Sequence, residues 1–414
     1  MKAWTKCNVL LFTIFLSVIG PSIKLGLFYV QDIMALIVYV FCVDLKKSSF
    51  SKNTRILYVP FVCVSISFIL KSMMGQPFIS NDYNEVVRHA VIAIFVSLFT
   101  IGYLQLNEAE KGALERRYAK GVFWVIVYVC VLGIYQYLDF TKFESLVGPL
   151  YKLEQYGSTK FSTNFVLANS LSRITSVFYT PIVFAGFIVA FLPVVIFNQR
   201  ILNRRYIVVA LILSVVSLLL TNSRAATLTL GAAIVLSMII HKKLSWPMLL
   251  MFSIGVLTIS QLVGSLTARN YYRYYELMDF IKSGFSQEFM PLNLILRIDD
   301  ITSAISKYNF DKYFISGVSA SLLEKDIGWS FHMQYVNWLL KFGLWGIFLT
   351  VWQFVITLKL YKVCIKNLRA KPLQFSLFIA FLIITVLNLS QIVTFQPRLR
   401  ELWVVGIAIA LLKE

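Results

Sequence analysis

The sequence predicts an all-α, polytopic integral membrane protein, because it is long, apolar and interrupted by short basic segments. Its 414 residues are 58% hydrophobic and only 14% charged, with a mean hydropathy of +0.74. A soluble domain carries about 25% charged residues. Apolar runs of about 17 residues or more recur along the chain, and such runs are long enough to cross a bilayer as helices. We therefore expect one polytopic membrane domain over residues 1–414.

About twelve apolar runs define the predicted spans. The first leads directly into the second with no small-residue cleavage site, so we expect a retained span and not a signal peptide. Two long polar stretches, 139–178 and 265–332, interrupt the pattern and are expected to form large loops. The predicted spans are 7–23, 25–43, 56–74, 89–106, 121–138, 179–197, 206–220, 225–240, 246–264, 333–358, 373–390 and 401–412.

The distribution of Lys and Arg predicts the orientation of the chain. The cations concentrate in alternate connections, as expected of loops that face the anionic cytoplasmic leaflet. Both termini are then cytoplasmic, and both large loops lie on the opposite, external face. The formal charge of +19 therefore reflects these loops, and we expect no nucleic-acid binding. The basic connections are 46–55, 111–120, 200–205, 242–243 and 359–371.

Several signatures of cofactor and metal chemistry are absent from the sequence. There is no GxxxxGK[ST] and no GxGxxG that opens a helix after a strand, which argues against a nucleotide-binding fold. The five cysteines lie in or beside apolar runs, so the large loops hold no disulfide. Asp82 and Glu85, in a shorter external loop, are a weaker alternative as an acid/base or metal-binding pair. We expect a metal-free protein without a cofactor.

Three arginines on the predicted external face are candidate anion-binding residues. Arg173 precedes span six, Arg224 lies in a tight external turn, and Arg297 lies in the second large loop. An arginine within a membrane costs about 2.5–3.5 kcal/mol on insertion scales, so a partner or an anionic ligand is expected. Guanidinium groups bind phosphate oxygens in bidentate fashion. The alternative for each arginine is an interfacial side chain or an ion pair with a loop carboxylate.

His332 is the candidate general base among three histidines. It lies where the second large loop re-enters the membrane, with Tyr335 following on the same predicted helix. A neutral imidazole can accept a proton from a sugar hydroxyl as that hydroxyl attacks. His241 falls in a cytoplasmic basic loop and His89 at the end of a span, so both are expected to be solvated or interfacial.

These elements, taken together and in order, resemble the O-antigen polymerase and O-antigen ligase superfamily. The resemblance covers most of residues 160–350, and the first four spans add only topology. Met333 stands where the family often has Asn, and Leu296 stands where it has Gly. The matching elements are Arg173 with Ser176, Phe178 and Pro181; Ser223-Arg224-Ala225-Ala226; Arg297; Gly317-Val318-Ser319; His332 with Tyr335; and Gly343 with Gly346.

The resemblance implies a GT-C-like glycosyltransferase of the bacterial inner membrane, with its active site on the periplasmic face. Its donor and acceptor would be oligosaccharide repeat units on undecaprenyl pyrophosphate, polymerised into O-antigen or a related surface polysaccharide. Arg173, Arg224 and Arg297 would bind the pyrophosphate, His332 would deprotonate or orient the acceptor hydroxyl, and Tyr335 would orient His332. The diphosphate leaving group makes a metal unnecessary. The implied partners are these lipid-linked units, membrane lipids and a chain-length regulator protein.

Two alternatives remain open from the sequence. A ligase that transfers finished glycan to lipid A core has the same motifs and topology. A polysaccharide flippase or solute transporter fits the span count equally well, since a fold does not define a function. Such a transporter usually carries charged residues inside its spans, whereas here most charge lies in loops.

Overall fold

The structure is a computed structural model, and apart from one small hairpin the regular secondary structure of its described residues is helical. It describes residues 52–151, 174–178, 180–199, 201–221, 310–327, 334–365, 372–388 and 400–412, with isolated positions in 11–40, 223–231 and 279–302. The helices are α1 (Val59–Met73, after a 3-10 turn Lys52–Tyr58), α2 (Ser80–Leu104), α3 (Glu108–Leu138), α4 (Phe140–Tyr151), α5 (Pro181–Phe197), α6 (Arg204–Thr221), α7 (Phe310–Tyr313), α8 (Ala320–Ile327), α9 (Gln334–Phe342), α10 (Leu344–Ile365), α11 (Pro372–Leu387) and α12 (Arg400–Leu412).

Helix α5 lies at the centre of the bundle. Its sequence is apolar on every face, so it has no preferred solvent side, and nearly all of its side chains are buried. It packs against α3, α6 and α11, while α1, α2, α10 and α12 complete the bundle. Thr180 caps the start of α5 by accepting the Val183 N–H at 3.2 Å, which satisfies one of the free N–H groups of the first turn.

The described helices confirm the prediction of a helical, polytopic membrane protein. Five of them are long and apolar enough to cross a membrane, and three shorter apolar helices accompany them. Large apolar side chains point outward from the peripheral helices, for example Trp124 (62% exposed), Ile212 (59%) and Leu358 (59%). In lipid this outward apolar surface carries no free-energy penalty, whereas in water it would. The chain is therefore described as a polytopic membrane protein.

Four predicted spans have different boundaries in the structure. The second was expected to begin at 25, but Lys24–Leu25 and Phe28–Tyr29 form an antiparallel pair of short strands. The fourth begins at Ser80 instead of 89, and the fifth begins at Glu108 instead of 121. The tenth, expected to be continuous over 333–358, is divided at Gly343 into α9 and α10. Predicted spans 7–23, 225–240 and 246–264 lie largely outside the described residues.

The large loops also contain regular and buried structure. The stretch 139–178 opens with α4 and ends with a segment, 174–178, that is completely buried. The stretch 265–332 includes α7 and α8, joined by a segment whose residues Ser316 to Ala320 are buried. Both stretches therefore contribute residues to the packed interior of the protein.

Candidate functional site

One of the five predicted site residues, Tyr335, lies within the described structure. Arg173, Arg224, Arg297 and His332 lie outside the described residues. Tyr335 is in the first turn of α9, and its hydroxyl donates to the Thr385 carbonyl of α11 at 2.8 Å. Its ring stacks on Phe354 of α10, with the centroids 5.9 Å apart. These contacts attach the start of α9 to two other helices.

Helix α9 folds back along α10. Gly343, between them, has a φ of +57°, a conformation that glycine adopts without strain. In one continuous helix, Tyr335 and Phe354 would be about 28 Å apart, yet their rings are in contact. A Cβ at Gly346 would lie 2.1 Å from the Trp338 carbonyl oxygen, so glycine permits the two helices to touch there. The chain thus reverses direction at Gly343.

The reversal places the start of α9 inside the bundle and not at its surface. Gln334 donates its backbone N–H to the Asn388 carbonyl at 3.0 Å, just past the end of α11. The Asn388 side chain in turn donates to Gln353 at 3.0 Å, and Gln353 lies about 14 Å along α10 from its first residue. His332 itself lies outside the described residues, so its placement at the mouth of a span stays a prediction.

Around the start of α9, buried polar side chains form a connected network. The Gln353 amide donates to the Thr385 hydroxyl at 3.3 Å, and the Thr385 and Thr357 hydroxyl oxygens are 3.1 Å apart. Gln334 is 3% exposed, and its side-chain oxygen accepts no hydrogen bond from the part of the chain that the structure describes. Buried polar groups are normally satisfied, so we expect a donor to this oxygen from outside the described residues.

The two glycine motifs named in the sequence contact each other. Gly317 has a φ of +75°, and a Cβ there would lie 2.2 Å from the Lys341 carbonyl oxygen. The Val318 N–H donates to the Leu340 carbonyl at 2.8 Å, and the Leu344 N–H donates to the Phe314 carbonyl at 2.6 Å. The turn at Gly317 therefore packs directly on the reversal at Gly343.

Helices α1 and α2, and the loop between them, hold this turn from the other side. Gln76, in that loop, donates to the Gly317 carbonyl at 2.9 Å and accepts the Ser319 N–H at 2.8 Å. Ser67 of α1 donates to the Ser316 carbonyl at 2.6 Å. These bonds satisfy backbone groups that have no partner in a helix or strand, which allows an irregular segment to be buried.

A pocket lined by four charged side chains lies beside the turn. Lys71 comes from the end of α1, Asp82 and Glu85 from the start of α2, and Lys341 from α9. Lys341 and Glu85 form an ion pair with a 3.1 Å N–O distance, and their side chains are 22% and 26% exposed. The Asp82 carboxylate accepts the Ala320 and Ile79 N–H groups, at 2.8 and 3.2 Å.

This geometry changes the interpretation of Asp82 and Glu85. Both lie on a helix and not in a loop, and each carboxylate already has a partner in the protein. Among the described residues there is no group of three or more His, Cys, Asp or Glu side chains that could hold a metal ion. Asp82 thus stabilises the turn by accepting the Ala320 N–H, and Glu85 forms an ion pair with Lys341.

A second buried turn follows Arg173 in the sequence. The Ile174 N–H donates to the Leu220 carbonyl at 3.2 Å, near the end of α6, the helix that precedes Arg224. The side-chain oxygen of Gln136 accepts the backbone N–H groups of both Thr175 and Ser176, at 2.8 and 2.9 Å. The described segment after Arg173 is thereby fixed against α3 and α6.

Sequence reasoning did not identify the network at the start of α9 or the charged pocket. Single polar residues inside apolar runs, such as Lys71, Gln334 and Gln353, were the available signal, because each needs a partner when it is buried. The partners of these polar residues could be identified only from the folded structure. No protein-family model and no curated protein matches the chain.

Proposed function

We propose that the protein is a glycosyltransferase that polymerises oligosaccharide repeat units carried on undecaprenyl pyrophosphate, at the external face of a bacterial inner membrane. The proposal rests on the order of motifs from Arg173 to Gly346 and on the charge distribution that orients the large loops outward. In this proposal both termini are cytoplasmic, and the fold is a GT-C-like bundle of about twelve spans.

The observation that carries the proposal is the reversal of α9 along α10. It brings the Gly317 and Gly343 motifs into contact and starts α9 within the bundle, two residues after His332 in the sequence. Within a bilayer, irregular backbone is tolerated only where protein or a water-filled cavity surrounds it. Discontinuous helices of this kind supply binding sites in other membrane proteins, which supports a substrate site in this region.

Each residue then has a proposed task. Arg173, Arg224 and Arg297 bind the diphosphate and stabilise the charge that develops on the leaving group. His332 accepts the proton of the acceptor hydroxyl while that oxygen attacks the anomeric carbon, and the carbon–oxygen bond to the diphosphate breaks. Tyr335 is a positioning residue, because its hydroxyl is already bonded to Thr385 and it acts by fixing the start of α9.

The test is polymer formation by the purified full-length protein from lipid-linked repeat units, without ATP. We expect wild type to yield a ladder of longer glycans on the lipid carrier, and His332→Ala to yield none. His241→Ala is the matched control, since it removes an imidazole from a predicted cytoplasmic loop, and it should retain activity. Full-length polymer from stably folded His332→Ala would remove His332 from the mechanism.

The same assay separates polymerase from ligase. A strain without the gene accumulates single lipid-linked repeats when a polymerase is lost. It accumulates long lipid-linked chains when a ligase is lost.

A transporter is the second candidate, and the charged pocket is the observation that favours it. Ionisable side chains inside a membrane bundle often mark a pathway for ions or substrates. Here Lys71, Asp82, Glu85 and Lys341 meet at the ends of three helices. Movement of lipid-linked repeats across liposomes by purified protein, without any elongation, would favour the transporter over the polymerase.

A further inference from the structure

Four exposed cations lie in the first part of α3 and at the start of α6. Arg116 and Lys120 belong to α3, and Arg204 and Arg205 are the first two residues of α6. The ion pairs found among the described residues involve other lysines, so none of these four side chains has a carboxylate partner in that part of the chain. Their charge is therefore available to an anion from outside the protein.

The carboxylates of α3 are engaged elsewhere, and α6 contains none. Glu108 pairs with Lys111 at 2.7 Å, and Glu110 caps the start of α3. Glu115 is only 9% exposed and interacts electrostatically with Tyr103 of α2. Within the described structure, no acid of these two helices pairs with the exposed cations.

Helices α3 and α6 run side by side in the same direction. Near the start of α6, the rings of Phe123 and Tyr206 are 5.2 Å apart between centroids. Further along both helices, Cys130 of α3 lies beside Ser214 and Ser217 of α6. The second contact follows the first in both sequences, so the two helices are parallel.

The parallel packing brings cations of the two helices to one level. Lys120 precedes Phe123 by three residues, which is about 4.5 Å along the axis of α3. Arg205 and Arg204 precede Tyr206 by about 1.5 and 3 Å along α6. Since the Phe123 and Tyr206 rings are in contact, Lys120 and the two arginines start within about one helical turn of each other along the bundle.

Aromatic side chains next to these cations indicate the level of the lipid headgroups. Trp124 (62% exposed) and Tyr206 (49%) flank the buried Phe123 ring, at 5.1 and 5.2 Å between centroids. Tryptophan and tyrosine are enriched where a bilayer meets water. Further from the cations, exposed valines such as Val131 and Val209 continue the same surface. The surface thus changes from basic to aromatic to apolar, in the order in which a phospholipid changes from headgroup to acyl chain.

We propose that this surface between α3 and α6 is a binding site for one anionic phospholipid. Arg205 and Lys120, from different helices, bind its phosphate, because guanidinium and ammonium groups both form charge-assisted hydrogen bonds to phosphate oxygens. Arg204 and Arg116 add positive charge around it, and the start of α6 adds the positive end of a helix dipole. Clusters of basic residues between membrane helices commonly bind such headgroups.

The aromatic surface selects a lipid over free phosphate as the ligand. An acyl chain that leaves the phosphate can lie along Trp124 and Tyr206, where it buries apolar area that a phosphate ion does not have. The site is separate from the arginines of the proposed active site, and its occupation does not rest on the proposed function.

The experiment is quenching of Trp124 fluorescence by brominated lipid in vesicles that contain the purified full-length protein. The chain has eight tryptophans, so the Trp124 signal is taken as the difference between each protein and its Trp124→Phe version. Brominated phosphatidylglycerol in phosphatidylcholine vesicles is compared with brominated phosphatidylcholine in phosphatidylglycerol vesicles. We expect wild type to bind phosphatidylglycerol at least about tenfold more tightly than phosphatidylcholine at this site.

Lys120→Gln with Arg205→Gln should reduce that preference by about tenfold or more, because it removes both phosphate ligands. Lys120→Arg with Arg205→Lys keeps both charges and should retain the preference within about threefold. Lys359→Gln with Lys362→Gln is the matched control: it removes two exposed cations from the single helix α10, in another predicted cytoplasmic connection, and should leave the Trp124 signal unchanged.

Three results would overturn the proposal. The first is a wild-type protein that shows no preference for phosphatidylglycerol at Trp124. The second is an unchanged preference in the Lys120/Arg205 glutamine variant, and the third is an equal loss in the α10 control, which would mean that net charge alone attracts the lipid. A loss of preference in the charge-keeping swap as well, in protein with the melting temperature of wild type, would also contradict a site defined by charge.

Discussion

Replacement of Gly317 by Ala should strongly destabilise the protein. At φ +75° an L-residue costs about 1–2 kcal/mol relative to glycine. The new Cβ would also lie 2.2 Å from the Lys341 carbonyl oxygen and 2.6 Å from the Phe342 nitrogen. Both are backbone atoms, so the contact cannot be relieved by a side-chain rotation, and overpacking of this kind costs about 1–3 kcal/mol. The expected loss in the free energy of unfolding is about 2–5 kcal/mol.

Gly75→Ala is the matched control. Gly75 has a φ of +66°, but no atom lies within 4 Å of the position its Cβ would take. This variant should therefore lose only the conformational part, about 1–2 kcal/mol. The measurement is unfolding of purified protein by sodium dodecyl sulfate titration in mixed micelles. Equal destabilisation by the two substitutions would refute the close packing of the Gly317 turn on α9.

Three further predictions address the site and its orientation. Arg173→Lys and Arg297→Lys should each abolish polymer formation in the elongation assay, because lysine keeps the charge but loses the bidentate fork; normal activity in both would assign them to membrane anchoring. Gln76→Ala should cost about 1–3 kcal/mol in the same detergent titration, since it leaves the buried Ser319 N–H without its partner and the Gly317 carbonyl with the Ser316 hydroxyl as its remaining donor; an unchanged unfolding curve would contradict the described bonds. Met74→Cys, 46% exposed between α1 and α2, should react with a membrane-impermeant thiol reagent in intact cells, and labelling only after lysis would reverse the predicted orientation.

The boundaries of a helix could be predicted closely from the sequence where its apolar run ends at charged or helix-breaking residues. Helices α5, α6, α11 and α12 begin and end within three residues of the predicted spans 179–197, 206–220, 373–390 and 401–412. Hydropathy identifies such helices because all but their terminal backbone groups are satisfied within the helix, so an apolar composition is enough to locate them. The charge of the loops predicts an orientation from equally local information, and that orientation stays a prediction.

The early start of α2 could not be predicted in this way. Its first turns contain Asp82 and Glu85, and a hydropathy criterion excludes such residues from a span. In the fold, Asp82 accepts N–H groups at the start of its own helix and from Ala320, and Glu85 pairs with Lys341. These partners are more than 230 residues away in sequence, apart from Ile79. These long-range partners stabilise the two carboxylates within the helix, and they cannot be identified from a single sequence.

The reversal between α9 and α10 could not be predicted because the sequence around it is largely apolar. Residues 333–358 are apolar enough to be read as one span, and Gly343 is a weak signal because glycine also occurs inside transmembrane helices. Only the contacts of Gly343 and Gly346 with Phe314 and Trp338 distinguish a sharp turn from a tolerated glycine. Gly343 and Gly346 therefore belong to the motif that resembles the family, but the sequence does not predict the turn and the close helix contact that they permit.

A helix that begins inside an apolar bundle leaves its first N–H groups without partners, and a helix that ends there leaves carbonyl groups. Helix α9 begins where α11 ends, and the Gln334 N–H donates to the Asn388 carbonyl across the gap. The positive end of one helix dipole thus faces the negative end of another, which stabilises the pair. Within the residues that the structure describes, no group donates to the Gln334 side-chain oxygen. In the proposed polymerase, a sugar hydroxyl of the substrate can donate to this oxygen, so Gln334→Leu should weaken substrate binding more than it weakens the fold. Unchanged substrate affinity in that variant would mean that the break in the helix serves packing alone.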